Sequence, residues 1–202
     1  MADPFRSLLS CATRSLADNN GVAAVEFAFL APVALAFLSL AFAGGQGISV
    51  YHKTVTTAHI VTDMVSRTPY SQDPTIANAE QIASTGIDAD LALGQLVMYP
   101  NDATNLTVVM TELKLNSTAH TASVVWSEGY NNGVALACGT TITLDASYYA
   151  SGATYMVYGQ VTYTYQPFGV SFNLSPITFS STEVLTIRNA TQITVPGAQT
   201  QC

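Results

Sequence analysis

The side chains that most often catalyse reactions or bind metals are sparse in this sequence. It has three histidines, and two of them, His52 and His59, lie on a segment with helical periodicity. Their separation of seven residues corresponds to about 10.5 Å along a helix, on one face. Two imidazoles that far apart cannot bind one metal ion, and His120 falls in a predicted turn. We therefore expect all three histidines to be surface residues.

No other group of residues predicts a catalytic or metal site. Asp88 and Asp90 flank Ala89, but without further oxygen ligands at a suitable spacing we expect a solvated loop rather than a cation site. The sequence has no G-x-S-x-G, H-E-x-x-H, phosphate-loop or dinucleotide-binding motif. These observations predict a protein that is not an enzyme, with no metal, no cofactor and no identified small-molecule substrate.

The charge content narrows the possible partners. Charged residues make up 9% of the 202 residues, against about 25% in ordinary soluble domains. The six Lys and Arg residues are outnumbered by thirteen Asp and Glu, so the formal charge is −7. Nucleic-acid binding draws on clustered Lys and Arg, and no such cluster exists, so we expect no nucleic-acid partner. The polar, uncharged remainder is typical of an extracytoplasmic β-rich domain.

Residues 22–43 form the most apolar segment, with Glu26 as their one charged side chain. As a helix, these 22 residues would extend about 33 Å, enough to cross a hydrocarbon core of roughly 30 Å. The apolar part of a cleaved signal peptide is about 7–15 residues long, so a retained transmembrane helix explains this length better. Arg6 and Arg14 precede the segment and favour a cytoplasmic N-terminus.

Glu26 needs an explanation, because an acid at the centre of a spanning helix costs roughly 2.5–3.5 kcal/mol. Near the start of the helix the carboxylate can reach the lipid headgroups, and its position alone then accounts for it. Its neighbours support a second explanation. Gly21 stands directly before the apolar run, Glu26 is the fifth residue after it, and Phe27 is the sixth.

This arrangement resembles the processing site of type IV prepilins. More narrowly, the stretch GVAAVEFAFLAPVALAFL resembles the N-terminus of the TadE-like family, the pilin-like proteins of tight-adherence (Tad) pilus systems. In that family a short leader precedes a G-x-A-x-V-E-F-type stretch, followed by Leu- and Ala-rich sequence containing Pro. The resemblance implies a single-pass protein of the bacterial inner membrane, with a cytoplasmic N-terminus, a periplasmic C-terminal domain and incorporation into a pilus used in cell adhesion.

The resemblance also implies roles for individual residues. A membrane prepilin peptidase would cut between Gly21 and Val22, on the cytoplasmic side, and the amine of Val22 would become the new N-terminus. Glu26, followed by Phe27, would then face its own amine or that of a neighbouring subunit. A pair of opposite charges would replace one lone acid in the membrane. The implied partners are the peptidase, the major pilin and other pseudopilins.

The cysteines are informative by position. Cys138 and Cys202 both lie in the part expected to be periplasmic, where disulfides persist. Paired, they would enclose a loop of about 64 residues and stabilise the fold by roughly 4 kcal/mol on the chain-entropy model; two unpaired thiols are the alternative. Cys11 falls in the leader. A zinc or thiol-redox site needs more ligands or a C-x-x-C motif, and the sequence has neither.

An amphipathic helix is predicted beyond the apolar segment, because apolar residues recur there at spacings of three and four. It would continue the membrane helix past a junction weakened by three glycines and end near Thr68 and Pro69. The positions of its apolar face are Ile48, Tyr51, Val55, Ala58, Val61 and Val65.

A second, short helix is predicted over residues 74–84. Asp73 is a capping acid, Pro74 suits the first helical position, and Gly86 closes the helix. Residues 87–99 have no clear pattern. We expect burial of the leucines in that stretch, namely Leu91, Leu93 and Leu96.

Strands are predicted from residue 106 onward. LTVVMTELKL and TASVVWSE, separated by the turn NSTAH, predict a hairpin. YMVYGQVTYTY alternates, with Val161, Tyr163 and Tyr165 on one face. PITFSSTEVLTIRNATQITV predicts one or two final strands.

Together these elements predict an α+β fold, in which a long N-terminal transmembrane helix continues into an amphipathic helix packed against a C-terminal antiparallel β-sheet domain. The predicted divisions are a cytoplasmic leader (1–21), the transmembrane helix (22–43), a periplasmic helical segment (44–100) and a β-rich periplasmic domain (101–202). The predicted function is a minor pilin-like (pseudopilin) component of Tad-type pilus assembly that acts by helix packing with other pilins. The alternative is a single-pass membrane-anchored periplasmic binding module without an assembly role.

Overall fold

The structure is a computed structural model that describes residues 20–67, 84–167, 175–188 and 190–202. It has the predicted α+β fold. Its elements in chain order are α1 (Asn20–Arg67), α2 (Ser84–Met98), a 3-10 turn (Ala103–Asn105), β1 (Leu106–Asn116), β2 (Thr121–Tyr130), β3 (Thr141–Ile142), α3 (Ala146–Ala150), β4 (Tyr155–Tyr165), β5 (Ile177–Thr186) and β6 (Thr200–Gln201). The chain divides into two compact units within α1, between Gly45 and Gln46.

The first unit contains the N-terminal part of α1. The helix passes through its glycines without a break, and it is long and apolar enough to cross a membrane, with a mean hydropathy of 2.1 over an 18-residue window. Apolar side chains are exposed on all sides of it, and the described part of the chain does not cover them. The large ones are Val22, Val25, Phe27, Phe29, Leu30, Val33, Leu35, Phe37, Leu38, Leu40 and Phe42.

The second unit is built on an antiparallel sheet, in which six strands are described. Their order is β3-β2-β1-β4-β5, and β6 pairs with β2 on the same edge as β3. The predicted β1–β2 hairpin is confirmed, and the side chain of Asn116 fixes its turn by accepting hydrogen bonds from the amides of Thr118 and Ala119. β4 lies between β1 and β5. Val161, Tyr163 and Tyr165 lie on one face of it, as predicted, and all three are buried.

The second part of α1 packs on one face of this sheet, but the predicted apolar face was only half right. Ala58, Val61 and Val65 are buried, whereas Ile48, Tyr51 and Val55 are exposed. The reason is that four small polar residues share the buried face with the apolar ones. The buried positions are Val50, Thr54, Thr57, Ala58, Val61, Thr62, Val65 and Ser66.

A close approach between α1 and β4 explains the small residues. A Cβ on Gly159 would overlap the Oγ1 atom of Thr62, so only glycine permits this contact. The Thr62 hydroxyl donates to the carbonyl of Ala58 at 2.7 Å, which satisfies it within the helix although it is buried. Short side chains on both elements therefore bring the helix close to the sheet.

The region of α2 corrects the helix end predicted at Gly86 and the loop predicted at Asp88 and Asp90. The helix predicted over residues 74–84 lies outside the described residues except at Ser84, where α2 begins, and Gly86 lies inside α2 instead of closing a helix. Burial of Ile87 and Leu91 in the core offsets the cost of about 1 kcal/mol for a glycine in a helix. Asp88 and Asp90, for which a loop was predicted, both lie on this helix.

Only part of the leucine prediction holds. Leu91 is fully buried, but Leu93 is partly exposed and Leu96 is 72% exposed, because both lie on the face of α2 that points away from the core. Gly94 faces α1 and brings α2 close to Thr57.

The other face of the sheet carries a second, smaller core. Met156 and Val157 are neighbours in β4 and point to opposite faces, Val157 toward α1 and Met156 toward this second cluster. Tyr149 of α3 covers it, together with half-buried side chains from the loops around β3.

Candidate functional site

The four residues of the predicted processing site lie at the start of α1. Gly21 and Glu26 are exposed, and Val22 and Phe27 are 58% and 72% exposed. Among the described residues, a Cβ on Gly21 would meet no atom within 4 Å, so none of their side chains occupies the space beside this Cα. Within the described ranges, no basic side chain forms an ion pair with Glu26.

Helical geometry relates Glu26 to Val22. The two are four residues apart in α1 and so lie on one face, about 6 Å apart along the axis. Helical side chains tilt toward the N-terminus, which directs the Glu26 carboxylate back toward the first turn. An amine created at Val22 would therefore lie within reach of this carboxylate, at the helix end where the backbone dipole also favours a negative charge.

The three histidines lie on the surface, as predicted. His52, His59 and His120 are all exposed, and His59 Nδ1 lies 3.3 Å from Glu183 Oε1. In the part of the chain that the structure describes, no three His, Cys, Asp or Glu side chains gather where they could hold a metal ion.

Two buried glutamates were missed from the sequence, and both bind the segment formed by residues 190–202, which we call the C-terminal strap. Glu112 of β1 is fully buried, and its Oε1 accepts a hydrogen bond of 2.8 Å from the amide of Ile193. Its Oε2 has no hydrogen-bond partner in the described structure. Burial raises the pKa of Glu112 to about 7, and the Ile193 amide acts in the opposite direction.

Glu128 of β2 holds the strap at a second point. Its Oε2 accepts from the amide of Gln199 at 2.7 Å, and the Gln199 side chain donates to the carbonyl of Gly129 at 2.9 Å. Burial raises the pKa of Glu128, the Gln199 amide lowers it, and the nearby charge of Asp88 raises it further. The two glutamates project from adjacent strands toward the same segment.

Further contacts complete the attachment of the strap. Trp126 Nε1 donates to the carbonyl of Ile193 at 2.8 Å, and the amide of Cys202 donates to the carbonyl of Val125. A disulfide joins Cys138 to Cys202, with 5.6 Å between their Cα atoms. The strap is thus held by two buried acids, a short strand and a covalent bond.

An open depression of about 430 Å³ lies at the hairpin end of the sheet. Its walls carry one cation, Lys114, and hydroxyl or amide groups from Asn116, Ser117, Thr121 and Ser123. No carboxylate, imidazole or thiol of the described residues lines it, so no general base lies beside its serine and threonine hydroxyls to activate them.

Comparison of the chain with protein-family models, curated proteins and solved structures finds no match. Any function must therefore be inferred from the residues themselves. The most distinctive of them are the four at the start of α1, because they combine an exposed glycine, a single acid and an apolar helix.

Proposed function

We propose that this protein is a minor pilin-like (pseudopilin) component of Tad-type pilus assembly and not an enzyme. It is made as a precursor in the bacterial inner membrane, and a prepilin peptidase cuts it between Gly21 and Val22. Its N-terminal helix then packs with the helices of the major pilin and other pseudopilins, while its periplasmic domain caps, primes or stabilises the fibre.

The observation that carries the proposal is the position of Glu26 in α1. The helix around it exposes apolar side chains on all sides, and the carboxylate has no cationic partner among the described residues. Charges in membrane helices are normally paired. Hydrolysis before Val22 would create the missing cation one helical turn away, on the same chain or on a neighbour.

The second unit supports the proposal through its chemistry. The Cys138–Cys202 disulfide suits an oxidising compartment such as the periplasm. The second part of α1, from Gln46 to Arg67, is packed on the sheet, so one helix belongs both to the membrane segment and to the domain.

The test of processing is the N-terminal sequence and intact mass of protein extracted from membranes of cells that express a Tad prepilin peptidase. We expect the chain to start at Val22. Gly21→Val should block cleavage, and Gly44→Val, the same change at a glycine that also has no neighbour within 4 Å, should leave cleavage intact. An intact N-terminus in the native protein would favour the membrane-anchored binding module, and a start near residue 44 would identify a signal peptide.

The test of charge pairing is Glu26→Gln, which keeps the shape of the side chain and removes its charge. We expect reduced co-purification with the other pilin subunits. Glu183→Gln removes an acid from the exposed strand β5 and serves as the control, with association unchanged. If Glu26→Gln left maturation, subunit association and surface filaments unchanged, the proposed pairing would be wrong.

A further inference from the structure

The exposed large apolar side chains of the second unit are concentrated at one end of its sheet. The six most exposed in the described residues are Ile48, Tyr51, Leu96, Tyr99, Val134 and Ile177, each between 46% and 81% exposed. We call these six residues the apolar rim. They come from four different parts of the chain, so their common location results from folding.

Aromatic contacts place the α1 and β5 members of the rim together. The ring of Phe179 lies 5.9 Å from the ring of Tyr51 and 6.4 Å from that of Tyr165. Ile177 is paired with Tyr165 across the β4–β5 ladder. Ile48 and Tyr51 therefore lie at the end of the sheet where β4 finishes and β5 begins.

Hydrogen bonds place the C-terminal end of α2, with Leu96 and Tyr99, and the loop after β2 at the same end of the sheet. Lys53 Nζ donates to the carbonyl of Tyr99 at 2.6 Å, which places the C-terminal end of α2 beside the same turns of α1. Asn131 donates to the carbonyl of Leu106, which is paired with Tyr163 near the end of β4. Val134 follows three residues after Asn131.

The opposite end of the sheet has a different character. The β1–β2 turn exposes polar side chains, from Asn116 to His120, and the ring of His120 lies 5.2 Å from that of Tyr149 in α3. No large exposed apolar side chain of the described residues occurs there. The domain is therefore apolar at the end where α1 enters it and polar at the end farthest away.

We propose that the apolar rim rests on the lipid surface of the bilayer from which α1 emerges. The inference depends on the membrane-spanning part of the proposed function and not on pilus assembly. The covalent chain supports it, because Ile48 follows the apolar segment 22–43 by five residues, a helical rise of about 7.5 Å that matches the thickness of the interfacial layer, about 5–8 Å on each side of the hydrocarbon. Tyrosine is enriched in this layer.

The charges near the rim define the kind of lipid surface. Lys53 is bonded to the Tyr99 carbonyl, Asp102 is exposed beside the start of β1, and His52 is exposed on α1. This mixture gives no basic patch to attract anionic headgroups. The contact is therefore apolar, and it should form on phosphatidylcholine, which is zwitterionic and has no net charge.

The experiment measures quenching of tryptophan fluorescence by brominated phosphatidylcholine in nanodiscs that hold one copy of the full chain. Tyr51→Trp and Tyr99→Trp put an indole on the rim, and Tyr148→Trp puts one at the polar end as the control. The native Trp126 is buried and gives the baseline. We expect brominated lipid to reduce the added fluorescence of both rim variants and to leave that of Tyr148→Trp unchanged.

Two results separate the possible failures. If the chain floats with lipid vesicles in a density gradient but the rim indoles are quenched no more than the Tyr148→Trp indole, the rim does not touch lipid and the inference is wrong. If the chain does not float at all, α1 does not anchor it, and the membrane part of the proposed function fails together with the inference.

Discussion

Replacing Glu112 with glutamine tests the electrostatics of the C-terminal strap. The carboxylate is fully buried, and its pKa is about 7 in the folded protein against an ordinary value of 4.5. Between these two values the folded state binds more protons than the unfolded state, so the stability contributed by the protonated acid is complete below pH 4.5 and is lost as the pH rises through 7. The side chain that Glu112→Gln introduces is neutral at every pH, so the variant does not lose stability in this way.

The expected size follows from the same values. Each pH unit in this window is worth about 1.4 kcal/mol, so the free energy of unfolding of the variant should rise relative to the native protein by about 3 kcal/mol between pH 4.5 and pH 8. An amide that places its NH₂ group where Oε2 lacks a partner adds a cost of about 1–3 kcal/mol, but that cost is the same at every pH. The diagnostic quantity is therefore the change with pH and not the value at one pH.

The assay is urea unfolding of the full chain in detergent micelles, followed by the fluorescence of Trp126. This is the single tryptophan of the chain, and it lies directly opposite Glu112 across the β1–β2 ladder.

Asp145→Asn is the control. Hydrogen bonds from Ser147 hold the pKa of Asp145 below its usual value, so the stability that this acid contributes is lost only as the pH falls below that range. The free energy of unfolding of Asp145→Asn should therefore differ from that of the native protein by the same amount at every pH between 5 and 8. A constant difference for Glu112→Gln over the same range would refute the reasoning.

Two further changes test the packing of the second unit by the same unfolding assay. Reduction of the Cys138–Cys202 disulfide should lower the free energy of unfolding by about 4 kcal/mol, since the bond closes a loop of 64 residues; Cys138→Ser should be unaffected by the reductant, and an equal response of both proteins would contradict this. Gly159→Ala should destabilise by about 1–3 kcal/mol, because the added methyl overlaps Thr62. Gly44→Ala adds the same methyl where nothing lies within 4 Å and should not destabilise; equal losses at both positions would show that the overlap is not the cause.

The strands and the apolar helix could be predicted because their signals are local. Alternation over residues 155–165 places Val161 and Tyr163 on one face whatever lies opposite them. The apolar segment is longer than a buried helix of a soluble protein needs, and its side chains are exposed in the structure. Both properties depend on neighbouring residues alone.

The buried face of α1 could not be predicted fully, because polarity and burial disagree there. Thr54 and Thr62 satisfy their hydroxyls within the helix, by bonding to carbonyls four residues earlier, and so become acceptable core residues. A pattern based on apolar residues assigns them to solvent and selects Tyr51 and Val55 instead. The glycine at position 159, more than ninety residues later, decides which assignment is right.

The role of Glu112 was beyond sequence patterns for a similar reason. Its partner is the amide of Ile193, which is 81 residues away in the chain. The one available signal was a pair of acids, Glu112 and Glu128, inside strand patterns of a chain with few charges. That signal indicates that a partner exists, but it does not identify the partner.

Among the described residues, one edge strand of the sheet is covered and the other is open. β2 is bonded to β1 on one side. On its other side it is bonded to β3 and to the strap, which includes β6, so a strand from another chain has no free position there. β5 is bonded to β4 alone among the described strands, and from Ile177 to Thr186 it has neither proline nor lysine, the residues that commonly prevent edge pairing. At high concentration, edge-to-edge association of copies should therefore begin at β5, and a lysine placed there should suppress it.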